Sequence, residues 1–293
     1  MGDMIRLALK IDFFQYPDGT RAMGEISLDV KEGEFCGILG SNGSGKTTLL
    51  KLMDGLLKTH AGAVRLDGED IRKLTPRDIY RKVGLIFQNP DEQLFAATVF
   101  EDVAFGPLNM GLEEKEVARR VKEALIAVEM EPYGEKSIHH LSYGQKKRVC
   151  IAGLLAMGHE ILLLDEPTAG LDPMGEYKMM TLLKKLNDEE KVTIVMATHS
   201  VDLVPLFLDS LHILSKGAIV RGGRPEDVFG APEEMEEVKL RLPQIAELIY
   251  RLKHEDKIPF DTVPLTIGEA RREILRMVSL FDRPPPDKEK TGI

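Results

Sequence analysis

Apolar and polar residues change their period several times along the chain, and each change marks an element. IRLALKIDFF alternates as a strand does, the turn YPDGT follows, and ISLDV alternates again. EFCGILG is a short apolar run closed by glycine, the pattern of a buried strand feeding a loop. Spacing from Thr48 to Leu57 is helical, and VRLDG reads as a strand and turn. Thr75-Pro76-Arg77-Asp78 supplies an N-cap, a proline at the first helical position and an acid at the third, so it opens a helix. VGLIFQ is a further strand. Over 113–130, Val117, Val121, Ala124, Leu125 and Val128 fall on one helical face. EILLLDEP and KVTIVMATHS are apolar runs with polar ends, as expected of parallel strands buried on both sides. Strands alternating with helices predict an α/β fold.

Two stretches depart from this alternation. Residues 88–109, QNPDEQLFAATVFEDVAFGPLN, read as a long loop with acids first and aromatic residues after. They hold no nucleophile beside a base, and a loop of that length between regular elements usually binds something. Near Pro232 the chain becomes helical, charged and free of strand patterns. Thr266 and Glu269 form a capping box ahead of a stripe of Ala270, Ile274, Met277, Val278 and Phe281. The expected division is a domain over 5–230, a small helical extension over 231–282, and a disordered tail, 283–293, too polar to bury much.

Composition narrows the function classes. The chain has 293 residues, 43% hydrophobic and 30% charged, the balance of an ordinary globular protein. A formal charge of -9 argues against a general nucleic-acid binder. Cys36 and Cys150 stand far apart in apolar contexts and read as buried free thiols of a reducing compartment. No apolar run approaches the roughly 18 residues of a membrane span, and the N-terminus lacks the apolar core of a signal peptide. A soluble cytoplasmic protein is the expectation.

Three motifs carry chemistry. Residues 40–47, GSNGSGKT, match G-x-x-x-x-G-K-[ST] between a predicted strand and a predicted helix. Gly40, Gly43 and Gly45, with Ser41, Asn42 and Ser44 between them, let the backbone turn its N–H groups toward a phosphate. Lys46 reaches the β/γ oxygens and the Thr47 hydroxyl ligates Mg²⁺; the helix from Thr48 aims its positive end at the same charge. In ILLLDEP an apolar strand ends on two acids, which is costly unless they meet a cation. Asp165 suits the Mg²⁺, and Glu166 the activation of an attacking water. LSYGQKKR places Ser142 and Gln145 as a capping box, so a helix N-terminus able to receive an anion begins there. His139-His140 lacks a third ligand at useful spacing and reads as a polar loop.

Together these residues resemble the ATP-binding cassette family of ATPases over about residues 5–230, which implies a P-loop cassette with a mixed sheet core and a helical subdomain carrying the LSYGQ signature. The resemblance implies further roles. Gln88 would sense Mg²⁺ and water, Asp172 would act in the loop between subunits, His199 would grip the γ-phosphate and Tyr16 would stack on adenine. It also implies that Ser142, Gly144 and Gln145 complete the phosphate site of a second ATPase subunit, the same chain or a paralogue. Two positions depart from the family pattern. Tyr143 stands where glycine is usual, adding a ring at the subunit contact, and Ser200 follows His199 where aspartate is common.

The 88–109 stretch is similar to that of the ATPases of energy-coupling-factor importers. LSYGQKKRVCIAGLLAM and ATHSVDLVPLF are closer to the cobalt and nickel branch than to the vitamin branch. This implies an integral membrane coupling subunit docked on Leu94, Phe95, Val99 and Phe105, with Asp91, Glu92, Glu101 and Asp102 as an acidic rim. A separate membrane component would bind the substrate, with the ATPase at the cytoplasmic face of a prokaryotic membrane. The alternatives are a vitamin-type ATPase of the same class, or a soluble cassette ATPase that serves no transporter.

Overall fold

The computed structural model describes residues 4–59, 61–230, 235 and 237–281. The tail expected over 283–293 lies outside the described residues. Eleven strands among the described residues divide between two sheets. One is antiparallel: β1 (Ile5–Gln15) pairs with β2 (Arg21–Met23), β3 (Ile26–Lys31) and β5 (Ala61–Leu66), and β5 continues to β6 (Glu69–Asp70). The other runs β11 (Ala218–Gly223), β10 (Ser210–Ser215), β4 (Phe35–Leu39), β9 (Thr193–Thr198), β8 (Ile161–Asp165), β7 (Val83–Ile86). All its neighbours are parallel except β10 and β11.

Full burial of β4, β8 and β9 follows from their apolar runs. Their residues alternate between two cores. Cys36, Ile38, Ile161 and Leu163 face the antiparallel sheet, with helix α1 (Lys46–Met53) packed in that layer. Phe35, Leu39, Leu162 and Leu164 face the helices on the opposite side. Those helices are α3 (Val99–Asn109), α4 (Glu114–Ala127), α5 (Tyr143–Met157) and α6 (Pro173–Glu190), while the short α2 (Pro76–Tyr80) precedes β7. The five residues assigned to the core face of α4 are all buried. Both cysteines are buried and free. Helix α1 stops at Met53, short of the predicted Leu57, where Asp54 leads into Gly55 at φ 77°.

The long loop predicted over 88–109 is only half a loop. Thr98 and Glu101 make a capping box, and α3 occupies the second half.

Beyond α7 (Val204–Phe207) and α8 (Pro225–Phe229), the described residues end in α9 (Gln244–His254) and α10 (Ile267–Phe281). The Thr266–Glu269 capping box is present in both directions. Met235, Leu240, Leu242, Ala246 and Leu265 join the main core, whereas Ile249, Phe260, Ala270 and Met277 make a small core of their own. The change of pattern near residue 230 therefore marks a change of element type more than a break in packing. No described helix is long and apolar enough to cross a membrane.

Candidate functional site

Parallel sheets present their loops at the carboxyl ends of the strands, and ligands bind there. The motifs fall at that edge. The loop after β4 carries residues 40–47, the end of β8 carries Asp165 and Glu166, and His199 follows β9. Gln88 follows β7, two residues past its end. One cleft is lined by Asn42, Gly43, Gly45, Lys46, Thr47, Thr48, Gln88, Asp165 and Glu166. Residues 42–48 and 165–166 are thus joined across a gap of more than a hundred positions.

Local geometry explains why the loop needs its glycines. Gly43 stands at φ 79° and Gly45 at φ 109°, both in the left-handed region that side chains resist. A Cβ on Gly40 would collide with Ser44 and the Leu214 carbonyl. Gly45 ends the loop and begins α1, whose first amides have no partner inside the helix. Lys46 Nζ donates to the carbonyls of Gly40 at 2.7 Å and Ser41 at 3.3 Å, which fixes the ammonium at the mouth of the loop.

Thr47 Oγ1 donates to Asp165 Oδ2 at 2.5 Å. A hydroxyl and a carboxylate side by side are the hard oxygen donors that Mg²⁺ takes beside phosphate oxygens. Burial pushes the Asp165 carboxyl up from its ordinary range, against the Thr47 hydrogen bond, and the neighbouring Glu166 charge adds to the rise. A cation beside the carboxylate offsets both the burial and the repulsion. The buried Ser44 hydroxyl and Glu166 Oε1 have no hydrogen bond among the described residues. The site therefore fits a magnesium-bound nucleotide, which brings positive charge to the phosphate oxygens when bound.

Glu166 is held in a strained posture, at φ 51°. Its amide donates to Ala197 O at 2.9 Å and its carbonyl accepts from Ala169 N at 3.1 Å. Oε2 lies 2.9 Å from His199 Nδ1, and Oε1 lies 3.4 Å from Lys46 Nζ.

Other predicted residues lie apart from this cleft. Tyr16 reaches its edge through a 2.9 Å hydrogen bond between its hydroxyl and Thr48 Oγ1, while its ring packs edge-on against Phe14. Ser142, Gly144 and Gln145 do not line the cleft, and neither does Asp172. Ser142 and Gln145 cap α5 reciprocally, and Asp172 caps α6 through Gly175 N at 2.6 Å. Ser142 and Asp172 are both solvent-exposed.

The region after Gln88 differs in detail from the expected groove. Val99 is in the core and Leu94 is half-buried against it, because both supply the apolar face that seats α3. Phe95 and Phe105 remain 64% and 49% exposed, edge to face at 4.7 Å. Most of the predicted rim is occupied within the chain. Asp91 pairs with Lys146 at 2.5 Å, Glu101 caps α3, and Asp102 accepts from the amides of Phe95 and Ala96.

Several residues at the site escape sequence reasoning. Thr20, Arg21, Lys216 and Gly217 line the nucleotide cleft from the antiparallel sheet and the β10–β11 turn. Lys147 is 2% exposed and donates to the carbonyls of Glu166 and Ala169, both at 2.8 Å. A lysine amid the apolar face of α5 was the available signal. Tyr143 also departs from expectation. Its ring lies back over Lys147, and its hydroxyl donates to the Gln88 carbonyl at 3.2 Å.

Comparison with known proteins agrees with this geometry. The ABC transporter family profile matches residues 23–169. A putative ABC transporter ATP-binding protein of Geobacter sulfurreducens is 69% identical over 274 residues, 94% of this chain and 98% of that protein. An energy-coupling factor transporter ATP-binding protein, EcfA, of Methanocaldococcus jannaschii is 50% identical over 265 residues, 90% of this chain and 94% of that one. The solved structure of cbiO1 from Clostridium perfringens, described as part of the ABC transporter complex cbiONQ, is 42% identical. It superposes with a TM-score of 0.75 over 85% of this chain and 100% of its own. The chain belongs to the ABC transporter ATP-binding family and is an ATPase that works on ATP with Mg²⁺.

Proposed function

We propose that the chain is the ATP-hydrolysing subunit of an energy-coupling-factor importer and that its cargo is a transition-metal ion, cobalt or nickel. The observation that carries the importer reading is the exposed Phe95–Phe105 pair a few residues beyond Gln88. Two adjacent aromatic rings left in solvent suit a partner's apolar helix, and their segment begins at a residue of the nucleotide cleft. The M. jannaschii relative is named for an energy-coupling factor, in keeping with this reading. For the metal, the support is the likeness of LSYGQKKRVCIAGLLAM and ATHSVDLVPLF to the cobalt and nickel branch. The protein would sit at the cytoplasmic face of the membrane, beside the coupling subunit and a separate substrate-binding component.

Within one chain, Lys46 and the loop amides would hold the phosphates, and Thr47 and Asp165 would hold Mg²⁺. Glu166 accepts the proton of the attacking water, oriented by His199, while Gln88 reports the state of the cleft. Tyr16 flanks the base. Ser142, Gly144 and Gln145 open α5 outside the cleft, where with Asp172 they would complete the phosphate site of a second ATPase subunit. Catalysis by such a site is mostly positioning and charge stabilisation. The division into a cassette over 5–230 and a helical extension over 231–282 belongs to the same reading, with the extension serving subunit contact.

Co-expression with the membrane subunits, followed by uptake into vesicles, tests the function. ATP-dependent accumulation of labelled cobalt or nickel, absent with Glu166→Gln, is the expected result. Vitamin uptake instead would move the chain to the other branch. Failure to co-purify with any membrane partner would overturn the importer reading.

A further inference from the structure

The first two turns of α5 touch both Gln88 and Glu166 of the same chain. Tyr143 Oη donates to the Gln88 carbonyl at 3.2 Å, and Lys147 Nζ donates to the Glu166 and Ala169 carbonyls at 2.8 Å. The two side chains support each other. The Lys147 ammonium lies 5.1 Å from the centre of the Tyr143 ring, within cation–π range. Tyr143 also packs against Gly170, which stands at φ 79° and where a Cβ would meet its ring at 3.0 Å, so glycine suits the residue after Ala169. Lys146 adds a second tie, an ion pair of 2.5 Å to Asp91.

We propose that Tyr143 and Lys147 are positioning residues that latch Gln88 and Glu166 to the signature turn, residues 142–145 at the start of α5, coupling one nucleotide site to the other. The coupling rests on the two-subunit reading above. There, residues 142–145 of one chain meet the nucleotide held by its neighbour, while Gln88 and Glu166 serve the nucleotide held by their own chain. A shift of the signature turn on engaging the neighbour's nucleotide then moves the Gln88 backbone and the strained Glu166 peptide together.

Physical chemistry supports a functional role for the latch. Glu166 sits in a left-handed conformation that persists only where its surroundings over-determine it. Lys147 supplies two charge-assisted hydrogen bonds to that segment from a buried ammonium. Burial lowers its pKa to about 8, so the protein keeps a cation where an apolar residue would cost less. Tyr143 is partly exposed, and its hydroxyl is not needed to fill the core.

Tyr143→Phe removes the hydroxyl alone and isolates the link to Gln88. In the full chain the expected result is roughly fivefold lower kcat, the worth of one neutral hydrogen bond. The dependence of rate on ATP concentration should lose cooperativity, while KM, monomer ATP affinity and melting temperature stay put. Lys147→Met should cost on the order of a hundredfold in kcat with ATP affinity retained. Wild-type kcat and cooperativity in Tyr143→Phe would overturn the latch. So would a loss of ATP affinity matching the loss of rate, because the pair would then be structural supports. ATP-driven dimerisation of Glu166→Gln tests the two-subunit reading separately, so failure of either idea is distinguishable.

Discussion

Glu166 gathers the constraints of the site on one residue. Its backbone is pinned by Ala197, Ala169 and Lys147, and its carboxylate is aimed by His199 and Lys46. Glu166→Gln keeps that shape and removes the basicity. Hydrolysis should fall by at least about a hundredfold, the usual worth of a positioned general base, with ATP binding intact and a closed dimer accumulating. Phosphate release and gel filtration in ATP read both outcomes, and near-normal turnover would sink the role. A second residue behaves differently. Asp54, at the end of α1, has its carboxyl pushed up to about 7 by burial. Between an unfolded value of about 3.8 and a folded value of about 7, only the folded form holds the proton. Stability therefore falls as pH rises through that window and levels off above it. Asp54→Asn does not titrate there, so its melting temperature relative to the native chain should climb from pH 5 to 7.5. A constant difference would place the carboxyl in ordinary solvent. Lys46, Thr47 and Asp165 were legible in the sequence because their chemistry depends on neighbours in the chain. Lys147 was not, because the carbonyls it binds lie about twenty positions away.

Elements were legible where one face is buried and the period is clean. Helix α4 and strands β8 and β9 follow their patterns to within a few residues. The segment at 88–109 was not, because its acids look like a solvated rim until their partners are known. Asp102 is spent on loop amides and Glu101 on a helix cap, so local hydrogen bonds rather than a partner explain two of the four. What remains unexplained within the chain is the aromatic pair. Replacing Phe95 and Phe105 with Ser removes two exposed anchors while leaving Val99 and Val103 to seat α3. Melting temperature and ATP affinity should hardly move. Capture of the membrane subunit should fall by roughly 30- to 1,000-fold, from a loss of about 2–4 kcal/mol in a small interface. Normal capture by a well-folded variant would refute the docking surface, and an early melt would make the rings part of the core.

At the scale of the molecule, the C-terminal helices raise the question of what covers them. The stripe read from the sequence is only partly buried. Ala270 and Met277 pack on Ile249 and Phe260, but Ile274 and Val278 stay 41% and 50% exposed. A helix with apolar residues on two adjoining strips has one strip more than its own small core requires. A second subunit is the occupant our reading assigns. Cutting the chain after Gly230 would test this poorly, because Leu242 and Ala246 beyond that point belong to the main core. Ile274→Glu combined with Val278→Glu leaves that core alone and places charge on the open strip. Burying a half-exposed aliphatic side chain contributes on the order of 1 kcal/mol, so the pair should weaken the dimer by roughly ten- to a hundredfold. Sedimentation of the ATP-bound Glu166→Gln background, with and without the two changes, measures it. Melting temperature and monomer ATP binding should be unchanged. An unaltered dimer constant would mean that the open strip faces solvent or another protein, and that the cassettes alone hold the subunits together.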